Sequence, residues 1–169
     1  MAIAGVLIED TLEKELRNLG VRDSKQITPK RREFLAEIIR KKSKTYDVVL
    51  IFPKEIDESN KRGLKLNELE AIASARIMDN LNKGLGNRKV SVVVDCPSTS
   101  ISKWTDFLKT QINNLSNLDI SCEHKADKNH IAVSAASILA KSAREAEVDK
   151  IKKKHGDIGS GYPSDPRTK

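Results

Sequence analysis

Short apolar segments rich in β-branched residues alternate with longer segments of helical spacing along this chain, and this alternation constrains the fold most strongly. In residues 89–95 (KVSVVVD), three consecutive valines give a strand that is apolar on both faces. Such a strand normally lies inside a sheet that helices cover on both sides. Residues 2–8 and 46–52 are similar apolar runs, and residues 118–123 form a weaker one. The pattern predicts an α/β fold.

Helix start signals and apolar spacing place helices between these strands. Thr28 is expected to cap a helix that begins at Pro29, because threonine is a common N-cap and proline fits the first helical turn. Asn67 is expected to cap the next long helix. The first of these helices, residues 29–43, would bury one apolar face, made of Phe34, Leu35, Ile38 and Ile39. The other helices are predicted at about residues 11–18, 67–83, 104–115 and 131–155.

A single domain, residues 1–169, is expected, because no linker, internal repeat or low-complexity segment interrupts the pattern. Hydrophobic residues make up 38% of the 169 and charged residues 33%, which is the composition of a globular domain with a real core. The formal net charge of +7 favours an anionic partner such as nucleic acid. Solubility alone explains such a charge about equally well.

The two cysteines indicate a reducing environment. Cys96 and Cys122 adjoin apolar runs, where small buried thiols are common, and two cysteines do not suggest a disulfide framework. No apolar run approaches the roughly 18 residues that span a membrane, and residues 1–10 lack the basic region of a signal peptide. A cytoplasmic location is therefore the expectation.

Two aspartates occupy positions that suit a functional site. Asp95 ends the strand at residues 89–95, and sites in such sheets lie beyond the carboxyl ends of the strands. Asp127 lies between Lys125 and Lys128, just before a long apolar helix. Each aspartate also has a structural explanation, since aspartates stabilise turns and the first turns of helices.

Together, the two aspartates suggest a metal site. Two acids brought close repel each other, and a divalent cation removes that repulsion. Carboxylates from separate elements suit Mg²⁺ or Mn²⁺, and two such ions can stabilise both the attacking and the leaving oxygen in phosphodiester cleavage. The cations around Asp127, Lys125 among them, would then face substrate phosphates.

The helix after Asp127 has two stripes of residues at helical spacing. One stripe is expected to pack, because small residues allow close approach: Ala132, Ala136, Leu139, Ala143 and Ala146. The other is polar: Ser134, Ser137, Lys141 and Arg144. Periodicity gives equal weight to a polar stripe that is solvated and to one that contacts nucleic acid beside the acidic site.

Several blocks, taken in order, carry a resemblance to a known family: AGVLI, VRDSKQITPKRRE, LNELEA, VVVD, EHKADKNHIAVSAASILAK and GDIGSGYPSDPRTK. Over nearly its whole length the chain resembles a type 2 ribonuclease H (ribonuclease HII) of the archaeal kind. The resemblance implies a ribonuclease H-like fold with a mixed five-stranded sheet flanked by helices. It also implies metal-dependent cleavage of RNA in RNA–DNA hybrids, including ribonucleotides embedded in duplex DNA. A metal-activated water would attack the phosphodiester and leave 5′-phosphate and 3′-hydroxyl ends.

The same resemblance implies roles for individual residues. Asp95 and Asp127 match two of the four metal-binding carboxylates of the family. Tyr162 matches the tyrosine that packs against the deoxyribose beside the ribonucleotide, although a structural tyrosine is the alternative. Ser24 and Lys25 lie in a loop near the substrate, where Lys25 meets a phosphate or is simply solvated. The substrate-binding set expected from stripes, loops and resemblance is Tyr162, Lys25, Ser24, Lys125, Ser134 and Lys141.

The chain departs from the family pattern at both ends. The Asp-Glu pair and Gly-Arg-Gly turn of the family's first strand have no counterpart here, nor does the helix that follows SDPRTK in the family. Loss of an inner strand would expose a backbone edge and the apolar faces of its neighbours. With two carboxylates missing, we expect weak or absent activity from this chain.

Two alternatives to the hybrid-cleaving endonuclease remain open. The first is a non-catalytic nucleic-acid-binding remnant that uses the basic helix at residues 29–44 together with Lys141 and Arg144. Its binding would tolerate Asp95→Asn, whereas turnover by an enzyme would not. The second is a Mg²⁺-dependent phosphohydrolase of small molecules, which has no need of so broad a basic surface. No obligate protein partner is expected in any of these cases.

Overall fold

The computed structural model describes residues 1–21, 27–161 and 165–168. Ser24, Lys25 and Tyr162, three of the expected substrate-binding residues, lie outside these ranges. The elements in chain order are β1 (Ala2–Leu7), α1 (Asp10–Asn18), α2 (Pro29–Lys42), β2 (Thr45–Leu50), α3 (Pro53–Lys61), α4 (Leu66–Asn82), β3 (Val90–Asp95), α5 (Ile101–Thr110), β4 (Leu118–Glu123), α6 (Ala126–Asn129) and α7 (Ile131–His155). No described helix is long and apolar enough to cross a membrane.

The strands form two small sheets of opposite character. β1 and β2 are antiparallel, with Ala2 opposite Leu50, and β3 and β4 are parallel, with Asp95 opposite Glu123. The mixed strand directions agree with the predicted fold class. Within the described ranges, however, the strands do not join into one continuous sheet, because β1 and β3 each pair on one edge.

A cleft of about 400 Å³ separates the two sheets. All of β1 and all of β3 line it, and α4 and α7 contribute further apolar walls. Ala132, Ala136 and Ala140 of α7 are among these wall residues, and their small side chains leave the cleft open.

Two apolar clusters hold the helices against the sheets. The first joins α1, α2 and α7 around the fully buried Leu16, Ile39 and Ile138. The second joins α4, α5 and the β3–β4 sheet around Trp104 and Leu108. Cys96, directly after β3, packs in the second cluster, and Ile131, the first residue of α7, packs in the first. The two clusters therefore hold the segments on either side of the carboxyl end of the parallel β3–β4 pair.

The start of α2 confirms one prediction and its apolar face corrects another. The Thr28 hydroxyl accepts a hydrogen bond from the Arg31 backbone N–H at 3.4 Å, with Pro29 in the first turn. Phe34, expected in the core, is 47% exposed. The Arg31 guanidinium lies 4.9 Å from the centre of the Phe34 ring. Phe34 therefore makes a cation–π contact at the surface instead of packing in the core.

Helix α3 was not predicted, because Pro53 was interpreted only as the end of a strand. Proline occupies the first turn of α3, where its missing N–H costs nothing. The Glu55 carboxylate then accepts a hydrogen bond from the Phe52 N–H at 2.9 Å. This proline–glutamate spacing was the available signal for a helix start.

The expected cap of α4 is wrong. The helix begins at Leu66, and the Glu68 carboxylate accepts a hydrogen bond from the Lys65 N–H at 2.7 Å. Asn67 lies inside the first turn, where its backbone carbonyl accepts a hydrogen bond from the Trp104 indole at 2.8 Å. This bond ties the start of α4 to α5.

Candidate active site

Asp95 lies at the carboxyl end of β3, directly beside the end of β4. The Cys96 N–H donates to the Glu123 carbonyl at 2.8 Å, which continues the parallel pairing one residue beyond β3. The exposed Asp95 carboxylate accepts a hydrogen bond from the Ala126 N–H at 3.1 Å. This contact holds the turn after β4 against the end of β3.

That turn places Asp127 at the start of a short helix. Lys125 adopts a left-handed backbone with φ of 57°, which turns the chain sharply into α6. Asp127 is only 7% exposed, and no hydrogen bond or ion pair reaches its carboxylate from the described part of the chain. Its carboxylate oxygens keep contact with solvent, so a hydrated divalent cation can reach them.

Further polar groups surround the two aspartates. His130 Nε2 lies 3.0 Å from Glu123 Oε2, and His124 Nδ1 lies 3.2 Å from the Cys96 carbonyl. Because paired residues of neighbouring strands project from the same face, Glu123 shares a face with Asp95. Sequence analysis missed the Glu123–His130 pair, although Glu123 ends its strand as Asp95 does.

The residues present fit a divalent cation with an incomplete protein shell. Asp95 and Asp127 offer the hard oxygen donors that Mg²⁺ and Mn²⁺ prefer. Over residues 1–21, 27–161 and 165–168, no three His, Cys, Asp or Glu side chains lie close enough to hold a metal ion together. Mg²⁺ usually binds through one or two carboxylates plus waters and substrate phosphates, and this site matches that pattern.

The two stripes predicted for α7 are placed differently in the structure. Ser134, expected to bind substrate or be solvated, is fully buried. A side chain buried in this way does not contact substrate, so Ser134 leaves the expected substrate-binding set. It is buried because residues on several faces of α7 pack against neighbouring elements. Ala146 of the expected packed stripe is exposed. The residues of α7 that are buried are Ile131, Val133, Ser134, Ala135, Ile138, Leu139 and Ser142.

The described remaining members of the predicted set, Lys125 and Lys141, and the other residues of the polar stripe differ in position. Lys125 is exposed at the turn that contacts Asp95, where it can meet a phosphate. Lys141 is half-buried on α7, and Ser137 lines the cleft between the sheets. Arg144 donates a hydrogen bond to the Gly161 carbonyl, so it anchors the segment that follows α7.

Several cations in and just after α2 pair with carboxylates. Arg32–Glu145 and Lys42–Glu15 join α2 to other elements, Arg40–Glu33 lies within α2, and Lys44–Glu9 lies beyond its end. Lys30, Arg31 and Lys41 have no carboxylate partner among the residues described. The broad basic surface on which the non-catalytic alternative relies is therefore smaller than the sequence suggests.

Comparison with solved structures first shows the class of fold. The chain superimposes on Bst-RNase HIII, solved in complex with Mn²⁺, with a TM-score of 0.78 at 18% sequence identity. The match covers 90% of this chain and 49% of that chain. The architecture is therefore a ribonuclease H-like fold.

More similar proteins show the family. The ribonuclease HII of Archaeoglobus fulgidus, in its complex with PCNA, matches with a TM-score of 0.83 at 38% identity, over 99% of this chain and 75% of that chain. Ribonuclease HII of Methanobrevibacter smithii is 39% identical over 172 residues, which is 100% of this chain and 78% of the relative. The family model described as Ribonuclease HII matches residues 1–169. The chain therefore belongs to the ribonuclease HII family, whose members are metal-dependent endoribonucleases acting on RNA in RNA–DNA hybrids.

Proposed function

We propose that Asp95 and Asp127 hold a Mg²⁺ or Mn²⁺ ion with which this chain cleaves the RNA strand of hybrids and ribonucleotides embedded in DNA. The contact between the Ala126 N–H and Asp95, at 3.1 Å, is the observation that carries the proposal. It brings the Asp95 carboxylate against the residue that precedes the buried Asp127. This contact supports the proposal that acids from two separate elements act together at the carboxyl end of β3.

The protein groups have separate tasks in this proposal. Asp95 and Asp127 bind the ion, which supplies positive charge to the phosphodiester oxygens when bound. Lys125, exposed beside Asp95, binds a neighbouring phosphate of the substrate strand. The products carry 5′-phosphate and 3′-hydroxyl ends.

Partners and location complete the proposal. The nucleic-acid partner is an RNA–DNA hybrid or a ribonucleotide-containing duplex. The Archaeoglobus fulgidus relative was solved with PCNA, and a protein partner of that kind is compatible with the assignment. Cys96 and Cys122 are both free thiols, which supports a reducing, cytoplasmic location.

Incision of a duplex that carries one ribonucleotide tests the role of Asp127. With Mn²⁺ present, Asp127→Asn is expected to lower the incision rate at least 100-fold, in the range seen when a metal ligand or its support is lost. Asp106→Asn on the exposed face of α5 makes the same chemical change away from the site and should leave the rate unchanged. Equal rates for the Asp127→Asn variant and the unsubstituted chain would refute the assignment.

A further inference from the structure

Glu70 on α4 lies level with Asp95 across the cleft. At the other end of α4, the Asn82 and Asn117 side chains exchange hydrogen bonds of 3.0 and 2.8 Å. Asn117 precedes β4, and its carbonyl accepts from the Val90 N–H at 2.9 Å, so Asn82 is level with the start of β3. Glu70 lies twelve residues earlier in α4, or about 18 Å along the helix axis. Strand β3 spans a similar ~17–20 Å, which brings Glu70 to the level of its carboxyl end.

The packing of α4 turns Glu70 toward the cleft. Ala71 packs in the same buried cluster as Cys96 and Trp104, which follow β3 in the chain. Glu70 and Ser74 instead line the cleft between the sheets, as Asp95 does. The start of α4 therefore presents a carboxylate to the same opening as the proposed ion site.

Contacts with the described residues do not explain the position of the Glu70 side chain. No described residue donates a hydrogen bond or an ion pair to it. Burial raises the pKa of the Glu70 carboxyl above its ordinary value, as expected for an acid taken partly out of water. The fold thus keeps a desolvated carboxylate at the cleft without stabilising its charge.

We infer that Glu70 accepts hydrogen bonds from the water shell of the divalent cation held by Asp95 and Asp127. Among the described residues, no group of three His, Cys, Asp or Glu lies close enough to hold a metal ion, so we place Glu70 outside direct contact with the ion. Mg²⁺ retains several of its waters in protein sites, and carboxylates that bind those waters orient the shell. Glu70 is therefore a positioning residue, and its role rests on the proposed function.

Calorimetric titration of the metal-free chain with Mn²⁺ tests this role without relying on activity. Glu70→Gln keeps the shape of the side chain and removes its charge, so it should weaken Mn²⁺ binding about 10-fold, as is typical for groups outside the direct ligands. Asp95→Asn, which removes a direct ligand, should weaken binding more. Glu37→Gln on the exposed face of α2 carries the same charge change and should bind Mn²⁺ as the unsubstituted chain does.

The outcomes separate this inference from the proposed function. If Asp95→Asn weakens binding and Glu70→Gln does not, the role of Glu70 is refuted and the ion site stands. If Glu70→Gln weakens binding as much as Asp95→Asn, Glu70 is a direct ligand and the water-shell role is refuted. If the unsubstituted chain binds no Mn²⁺, both the ion site and the role of Glu70 are refuted.

Discussion

Single residues near the carboxyl end of β3 carry the chemistry that we propose for this molecule. Asp127 is 7% exposed, and Glu70 is half-buried with a raised pKa. Sequence alone suggested Asp95 and Asp127 as candidates, since a strand end and a resemblance both pointed to them. It could not identify Glu70, because its place opposite Asp95 depends on how α4 packs.

The pKa of Glu70 predicts a pH-dependent effect on stability. Burial raises this pKa above the ordinary value of 4.5. Below that pH the carboxyl is protonated, so its burial carries no charge penalty and the folded state keeps its full stability. This contribution is lost as pH rises through the folded-state pKa. Without metal, Glu70→Gln should therefore raise the free energy of unfolding at pH 7 relative to its effect at pH 4.

Urea unfolding in the presence of a chelator at both pH values measures this difference. Glu37→Gln serves as the control, since it removes the same carboxyl at an exposed position on α2. A Glu70→Gln effect of the same size at pH 7 and pH 4 would show that burial of the charge is not what the substitution relieves.

At the scale of elements, the boundaries were largely predictable and the buried faces were not. Strands β1 to β4 and helix α7 (Ile131–His155) occur close to their predicted positions, because their apolar patterns are local. The one-turn helix α6 (Ala126–Asn129) was missed, since four residues carry no periodic signal. The buried face of α7 was misplaced, because its many small residues suit several packing faces equally.

The contact between β1 and α4 gives a prediction at this scale. A Cβ added at Gly5 would lie 2.5 Å from Ile77 Cγ2, far inside normal contact. Gly5→Ala should therefore force β1 and α4 apart and lower the free energy of unfolding by about 1–3 kcal/mol, as overpacking does. Thermal or urea unfolding measures the loss.

A double-mutant cycle shows whether Ile77 causes this loss. Ile77→Ala removes the clashing methyl group, so Gly5→Ala should cost clearly less in that background than in the unsubstituted chain. The two losses would simply add if the effect arose from the strand backbone rather than from the packing of Ile77 against β1.

At the scale of the whole molecule, a cleft between two half-sheets and an acidic strand end lie on one side of a chain with net charge +7. Overall charge and family resemblance predicted a nucleic-acid substrate. They did not predict that acids from other elements pair with Arg32 and Lys42 of α2. Such pairs form between segments distant in sequence, so only the folded structure shows which cations remain for phosphate binding.

Cleavage of an RNA–DNA hybrid under single-turnover conditions, with the chain in excess, tests the central claim most directly. The reaction is followed with Mn²⁺, with Mg²⁺ and with chelator, for the unsubstituted chain and for Asp95→Asn, while hybrid binding is measured in parallel. We expect slow, ion-dependent cleavage of the RNA strand that Asp95→Asn abolishes without loss of hybrid binding. An RNA strand that stays intact although the hybrid is bound, or cleavage undiminished in Asp95→Asn, would contradict the account.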